Sequence, residues 1–98
     1  MVKTDYIYER DELNIQFKEY EQVYCIKLKS GIVLEFGDDD ELSNIVLPNF
    51  CQMIRKQPIP QIPIEYDHAI FEDYTLTLVL KLHQQSINVK IDLNAIDK

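Results

Sequence analysis

The sequence predicts an α+β fold built mainly from antiparallel β-strands. It reads as a meander of hairpins, one short helix at about residues 48–57, and a long C-terminal β-hairpin at about 74–93. Three observations predict this. Apolar and polar residues alternate in short runs between Tyr6 and Phe36, the pattern of strands with one buried face. After Pro48 the apolar spacing becomes helical. Then Leu76, Leu78, Leu80 and Leu82 face Ile87, Val89, Ile91 and Leu93 across a short polar stretch, as in a hairpin with one apolar face. Ninety-eight residues, 46% of them apolar, make one domain spanning 1–98 with a single core.

Tyr6 and Tyr8, then Leu13, Ile15 and Phe17, form the first hairpin. A four-residue loop from Glu9 to Glu12 would pair Tyr8 with Leu13 and Tyr6 with Ile15. Lys18 to Gln22 is a charged connection. Tyr24, Ile26 and Leu28 line the next strand. A two-residue turn after it would send Ile32, Leu34 and Phe36 to the wrong face. The three-residue loop Lys29-Ser30-Gly31 instead pairs Leu28 with Ile32, Ile26 with Leu34 and Tyr24 with Phe36. It leaves Gly31 where a positive φ is needed.

The stretch from Ile32 to Leu47 then reads as a strand, an acidic reversal and a returning strand, with Leu34 opposite Ile45 and Ile32 opposite Leu47. Pro48 suits a helix's first turn. Phe50, Cys51, Met53 and Ile54 follow at helical spacing, and the helix ends by Gln57 because Pro58 follows. Pro58 to Pro63 is a stiff, extended crossover rather than a proline-rich recognition peptide, since Gln57 stands where such peptides carry a basic residue. The loop His83-Gln84-Gln85-Ser86 would pair Leu82 with Ile87, Leu80 with Val89, Leu78 with Ile91 and Leu76 with Leu93.

The run Tyr8-Glu9-Arg10-Asp11-Glu12-Leu13-Asn14-Ile15, then Gly31-Ile32-Val33-Leu34-Glu35-Phe36 and Asp38 to Leu47, resembles a family of small prokaryotic domains of unknown function. That family shows a Tyr-Asp…Asp-x-Leu-x-Ile strand, a Gly-Ile-Val-x-Asp-Tyr strand, an Asp-x-x-Gly turn and a short Ile-Glu-Ile strand. The likeness covers roughly the first half. The chain departs from it at Asp40-Glu41, where the turn glycine would fall, and at Ile45-Val46-Leu47, which lacks the acidic residue. The resemblance implies a small β-rich fold and carries no active site; a prokaryotic or phage origin is expected.

The net charge is −7, and it is uneven. The first 41 residues hold 11 acids against 5 bases, whereas residues 42–60 hold no acid and two bases, Arg55 and Lys56. Such a balance argues against nucleic-acid binding, which needs clustered cations. No apolar run is long enough to cross a bilayer, no leader precedes the first strand, and a cytoplasmic protein without membrane contact is expected. Cys25 and Cys51 lie in apolar surroundings without metal-like spacing and are expected as reduced, buried thiols.

Two clusters could carry chemistry. Asp38, Asp39, Asp40 and Glu41 are contiguous, without the spaced oxygens, central glycine and distant glutamate of a calcium loop, so a solvated turn is expected there. Glu65, Asp67, His68, Glu72 and Asp73 surround one of the two histidines. They could ligate zinc or hold a general base, or simply form a loop between strands. With only Gly31 and Gly37 there is no phosphate-binding glycine loop.

Two function classes follow. The first is a small acidic, non-enzymatic binding or regulatory module of the inhibitor, immunity or adaptor type. It would need no cofactor or metal and would meet a basic protein partner through Asp38, Asp39, Asp40 and Glu41. The second is a small metal-dependent enzyme centred on His68. A two-fold homodimer is also expected, with Thr75, Thr77 and Val79 against the second copy, because a small β-rich domain has strand edges to hide.

Overall fold

The computed structural model describes residues 2–19, 24–58, 60–61 and 63–95. Their alternating segments form β1 (Lys3–Ile7), β2 (Glu12–Gln16), β3 (Tyr24–Lys27), β4 (Val33–Phe36) and β5 (Leu42–Leu47), then the helix α1 (Phe50–Met53), then β6 (Ile64–Glu72), β7 (Thr75–Leu82) and β8 (Gln85–Asp92). The mainly antiparallel α+β architecture is as expected. A five-stranded sheet runs in the order β1-β2-β5-β4-β3, and a three-stranded sheet in the order β6-β7-β8. No helix among the described residues is long and apolar enough to cross a membrane.

One core joins the two sheets. Leu13 and Ile15 from β2, Leu34, Ile45 and Leu47 from β4 and β5, and Leu78, Leu80, Val89 and Ile91 from the second sheet are all buried in it. Phe50 and Cys51 of α1 are fully buried in the same cluster. The inner faces therefore do what strict alternation requires, each strand giving every second side chain to the interior. At the margins, the Thr4 hydroxyl donates to the carbonyl of Ile64 at 3.0 Å. The amide of Lys29 donates to the carbonyl of Ala95 at 2.7 Å, tying the β3–β4 loop to the chain beyond β8.

The β3–β4 register matches the three-residue loop: Ile26 lies opposite Leu34 and Tyr24 opposite Phe36, and Gly31 has φ +94°. Leu34 also meets Ile45. Other details differ. In the first hairpin Tyr6 pairs with Leu13 and Thr4 with Ile15. The loop is Tyr8–Asp11, begun by a 3-10 turn over Tyr8–Arg10. This two-residue slip keeps Tyr6, Leu13 and Ile15 on one face, which is why alternation alone could not detect it.

The first sheet is not a simple meander, because β5 lies between β2 and β4. Leu13, Ile15, Ile45 and Leu47 are all fully buried, so β2 and β5 take the centre. The largely exposed β3 goes to an edge, and Cys25 is exposed there, unlike buried Cys51; only one of the two thiols is in the core. The charged connection expected over 18–22 falls partly outside the described residues. So do Ile59 and Ile62 of the proline-rich crossover.

Helix α1 is shorter than the expected 48–57. It stops because Arg55 adopts the left-handed conformation, φ +57°. Its amide then donates to Gln52 at 3.2 Å and that of Lys56 to Cys51 at 2.8 Å, the paired bonds of a Schellman cap. Glycine usually fills this position, and a side chain there costs about 1 kcal/mol.

The stretch from Glu65 to Asp73, read from its polar cluster as a loop between strands, instead lies mostly in strand β6 (Ile64–Glu72). A bulge between Tyr66 and His68 adds Asp67 and inverts the face assignment, so that Tyr66, Ala69 and Phe71 share the inner face with Leu80, Leu78 and Leu76. The turn between β7 and β8 is His83-Gln84 alone, with φ +51° and +68°. Leu80 consequently faces Ile87 and Leu78 faces Val89, again two residues from the expected register and again on the expected face. Strand β7 is central in its sheet. Val79, expected to meet a second copy along with Thr75 and Thr77, is already buried within the single chain, opposite His68 and Asn88.

Candidate functional site

The acidic reversal joins β4 to β5, and Asp38, Asp39, Asp40 and Glu41 are all exposed on it. The turn is held locally. The amide of Asp40 donates to Gly37 and that of Gly37 to Glu41, while Asp39 Oδ1 accepts from the amide of Glu41 at 3.0 Å. Lys18 pairs with Glu41, and its Nζ is 3.8 Å from Asp39 Oδ2. The Tyr24 hydroxyl donates to Asp40 Oδ1 at 3.1 Å, and its ring stacks on Phe36 with centroids 5.0 Å apart. Asp38 has no side-chain partner among the described residues. The carboxylates are thus partly compensated. The compensating lysine becomes legible only once β2 is known to pair with β5, which brings Phe17 and Lys18 against the carbonyl of Ser43.

The cluster around His68 is not gathered to a point. Glu65, Asp67, His68 and Glu72 lie along β6 with Asp73 in the turn beyond it. At about 3.3 Å per residue the span from Glu65 to Glu72 is roughly 20 Å or more. His68 Nδ1 lies 3.3 Å from Asp67 Oδ2. Among the described residues, no group of three or more His, Cys, Asp or Glu is arranged to hold a metal ion.

A different feature of the same strand was hidden by its bulge. At the far end of the β6–β7 hairpin the side chains of β6 and the turn, from Asp67 to Tyr74, are exposed on both faces. Ile70 is 47% exposed on the outer face, Phe71 is 63% exposed on the inner face, and Tyr74 in the turn is 65% exposed. The turn is Asp73-Tyr74, with φ +53° and +60°, the form in which the second position favours glycine. Carboxylates of Glu72 and Asp73 adjoin these apolar side chains in sequence, so the tip, or knob, carries apolar side chains on both of its faces beside two carboxylates.

The third cluster is structural. Asp11, itself left-handed at φ +47°, sits in the β1–β2 loop and reaches α1. Its carbonyl accepts from the amide of Phe50 at 2.8 Å. Its carboxylate accepts from the amide of Cys51 at 3.0 and 3.2 Å and from the Tyr6 hydroxyl at 2.6 Å. The same hydroxyl lies 3.3 Å from Cys51 Sγ. Burial pushes the Asp11 carboxyl up, but the hydrogen bonds from Tyr6, Cys51 and Gln52 outweigh it and hold it below the usual carboxylate value. Burial, and then the neighbouring carboxylate, push the Tyr6 hydroxyl well above its ordinary value. Burial also raises the Cys51 thiol, which keeps it protonated and unreactive.

The outer face of the first sheet is polar and slightly concave, a depression of about 550 Å³ bordered by Lys3, Asp5, Asn14, Gln16, Glu35 and Asn44. Its side chains are tied to one another: Asn44 donates to Glu35 at 2.8 Å and Asn14 to Glu12 at 3.1 Å. Against these surfaces, comparison with protein-family models, with curated proteins and with solved structures finds no match, so each site rests on this chain's own residues.

Proposed function

We propose that this chain is a small acidic, non-enzymatic protein-binding module of the inhibitor, immunity or adaptor type. The observation that carries the reading is the knob of Ile70, Phe71 and Tyr74 at the tip of the β6–β7 hairpin. The fold has no use for it. Phe71 and Tyr74 contribute little to the core, and glycine at position 74 would relieve the left-handed turn. Exposed aromatic side chains at the tip of a hairpin are the kind of residue that anchors protein interfaces. The two adjoining carboxylates and the net charge of −7 suit a partner whose apolar pocket is rimmed by lysine and arginine. Asp38, Asp39, Asp40 and Glu41 then act at longer range, concentrating negative potential that speeds encounter with a positive surface.

The test compares three proteins as baits in lysate of the native host, followed by kinetics with the purified partner. The wild type should retain a basic protein at low salt. Tyr74→Gly with Phe71→Ser should lose it. By relieving the turn strain, Tyr74→Gly alone should raise stability by about 0.5–1 kcal/mol. Replacing Asp38, Asp39, Asp40 and Glu41 together by Ser or Asn should leave the fold intact and slow association several-fold at low salt, with little change at high salt. A partner that binds the Tyr74→Gly, Phe71→Ser variant as well as the wild type would refute the knob. An unchanged on-rate for the substituted turn would reduce it to a solvated loop.

A further inference from the structure

The second sheet has a free edge that is built differently from the rest of the surface. The bond from the amide of Leu93 to the carbonyl of Tyr74, 2.9 Å, and the two-residue turn at His83-Gln84 fix the phase of the β7–β8 ladder. Gln85, Ile87, Val89 and Ile91 turn their amides and carbonyls toward β7. Ser86, Asn88 and Lys90 therefore direct theirs outward, and no described strand pairs with that edge.

Alongside it lies a groove of about 480 Å³, walled on one side by Met53, Ile54 and Arg55 at the end of α1 and on the other by residues 87–90 of β8. Its floor is apolar: Ile87 and Ile54 are half-buried, Val89 is buried, and Met53 is 39% exposed. Its border is basic. Arg55 and Lys90 flank it, and neither has an ion-pair partner among the described residues. Arg55 stands at the left-handed cap position, where glycine would fit best.

We propose that this groove takes an extended segment of a partner protein as a fourth strand on β8, with apolar side chains inward and acidic side chains outward. The outward amides and carbonyls of Asn88 and Lys90 supply main-chain hydrogen bonds, as in other strand additions. Met53, Ile54 and Ile87 receive every second side chain of the segment, and Lys90 and Arg55 meet the carboxylates. The wall formed by α1 favours one strand over a second copy of the chain, which would bring a whole three-stranded sheet into the same space. This site is separate from the β6–β7 knob and does not rest on it.

The probe is a fluorescein-labelled peptide alternating valine with glutamate, followed by fluorescence anisotropy against the full chain at low salt. Saturable binding is expected, weakened by salt and on the order of tenfold or more by Arg55→Glu with Lys90→Glu. Lysine in place of glutamate in the peptide should abolish it. Asn88→Pro removes one outward amide without touching the β7–β8 ladder and should also weaken binding. Should that variant fail to fold, the same peptide N-methylated on alternate residues tests the main-chain bonds on the unaltered protein, and it should not bind. Arg55→Gly should melt higher than the wild type and bind several-fold less tightly. Absence of saturable binding up to millimolar peptide would overturn the proposal, as would unchanged affinity in the charge-reversed variant or for the N-methylated peptide. A wild-type dimer in sedimentation equilibrium that Arg55→Glu with Lys90→Glu or Asn88→Pro dissociates would overturn it in favour of a second copy on this edge.

Discussion

Phe50→Ala should lower the free energy of unfolding by about 3–5 kcal/mol, the cost of emptying a fully buried aromatic site. Phe50 has no exposed surface, and its ring meets that of Tyr6 edge-on with centroids 6.3 Å apart. Together with Cys51 it holds a four-residue helix to the core. A domain of this size has a total stability of only about 5–15 kcal/mol. At about 4–8 °C per kcal/mol, the melting temperature should fall by roughly 12–40 °C. Phe50→Leu, which leaves most of the volume filled, should cost about 1–2 kcal/mol. Thermal melts followed by circular dichroism check both. A drop of only a few degrees for Phe50→Ala would mean that α1 is not anchored as described.

Asp11→Ala should cost about 2–3 kcal/mol. It removes the acceptor of the Cys51 amide, a capping loss of about 0.5–2 kcal/mol, leaves the Tyr6 hydroxyl without its carboxylate, and puts alanine in a left-handed conformation that aspartate tolerates better. Asp11→Asn keeps the backbone preference and one acceptor oxygen, and should cost about half as much. The pH dependence separates charge from shape. Because the folded-state value of the Asp11 carboxyl lies below its unfolded value, its contribution is complete above the ordinary aspartate range, near pH 4. The contribution is lost as pH falls through the folded value. Chemical denaturation from pH 7 down to pH 2 should therefore show the gap between wild type and Asp11→Asn narrowing in acid. A constant gap would show that the carboxylate's charge has no part in the cap.

What the sequence revealed, and what it hid, follows from side-chain period. Faces were legible throughout the first sheet and in β7 and β8, because alternation assigns Leu13, Ile45, Leu80 or Val89 to the interior whatever the register. Registers were legible where a turn residue broke the tie, as Gly31 does, and in the pairing of Leu34 with Ile45 across the acidic reversal. In the first and last hairpins two registers two residues apart bury the same side chains, and left-handed residues without a glycine signature, Asp11, His83 and Gln84, decided between them. The neighbour of β2 was not legible, since β3 and β5 both offer a suitable apolar row. Strand β6 was hidden by its own bulge: Asp67 breaks the alternation, and most of the strand is exposed. The acidic turn could be read directly, whereas Lys18 beneath it depended on the unread β2–β5 pairing. The knob and the β8 groove were not readable at all, because each depends on how the elements pack together.

The place of β5 between β2 and β4 has a consequence for how the chain is made. Leu13 lies opposite Leu47, so two hairpins that can form within microseconds of leaving the ribosome must wait for a later segment to unite them. Even then the inner face of that sheet is covered only in part, by α1 and β6, until β7 and β8 emerge, about 45 residues after Leu47, or roughly 2–9 s at 5–20 residues per second. Throughout that interval Leu13, Ile15, Leu34, Ile45 and Leu47 form a partly open apolar surface on the nascent chain. Slowed translation between residues 48 and 75 should therefore lower the soluble yield far more than the same delay placed after residue 92.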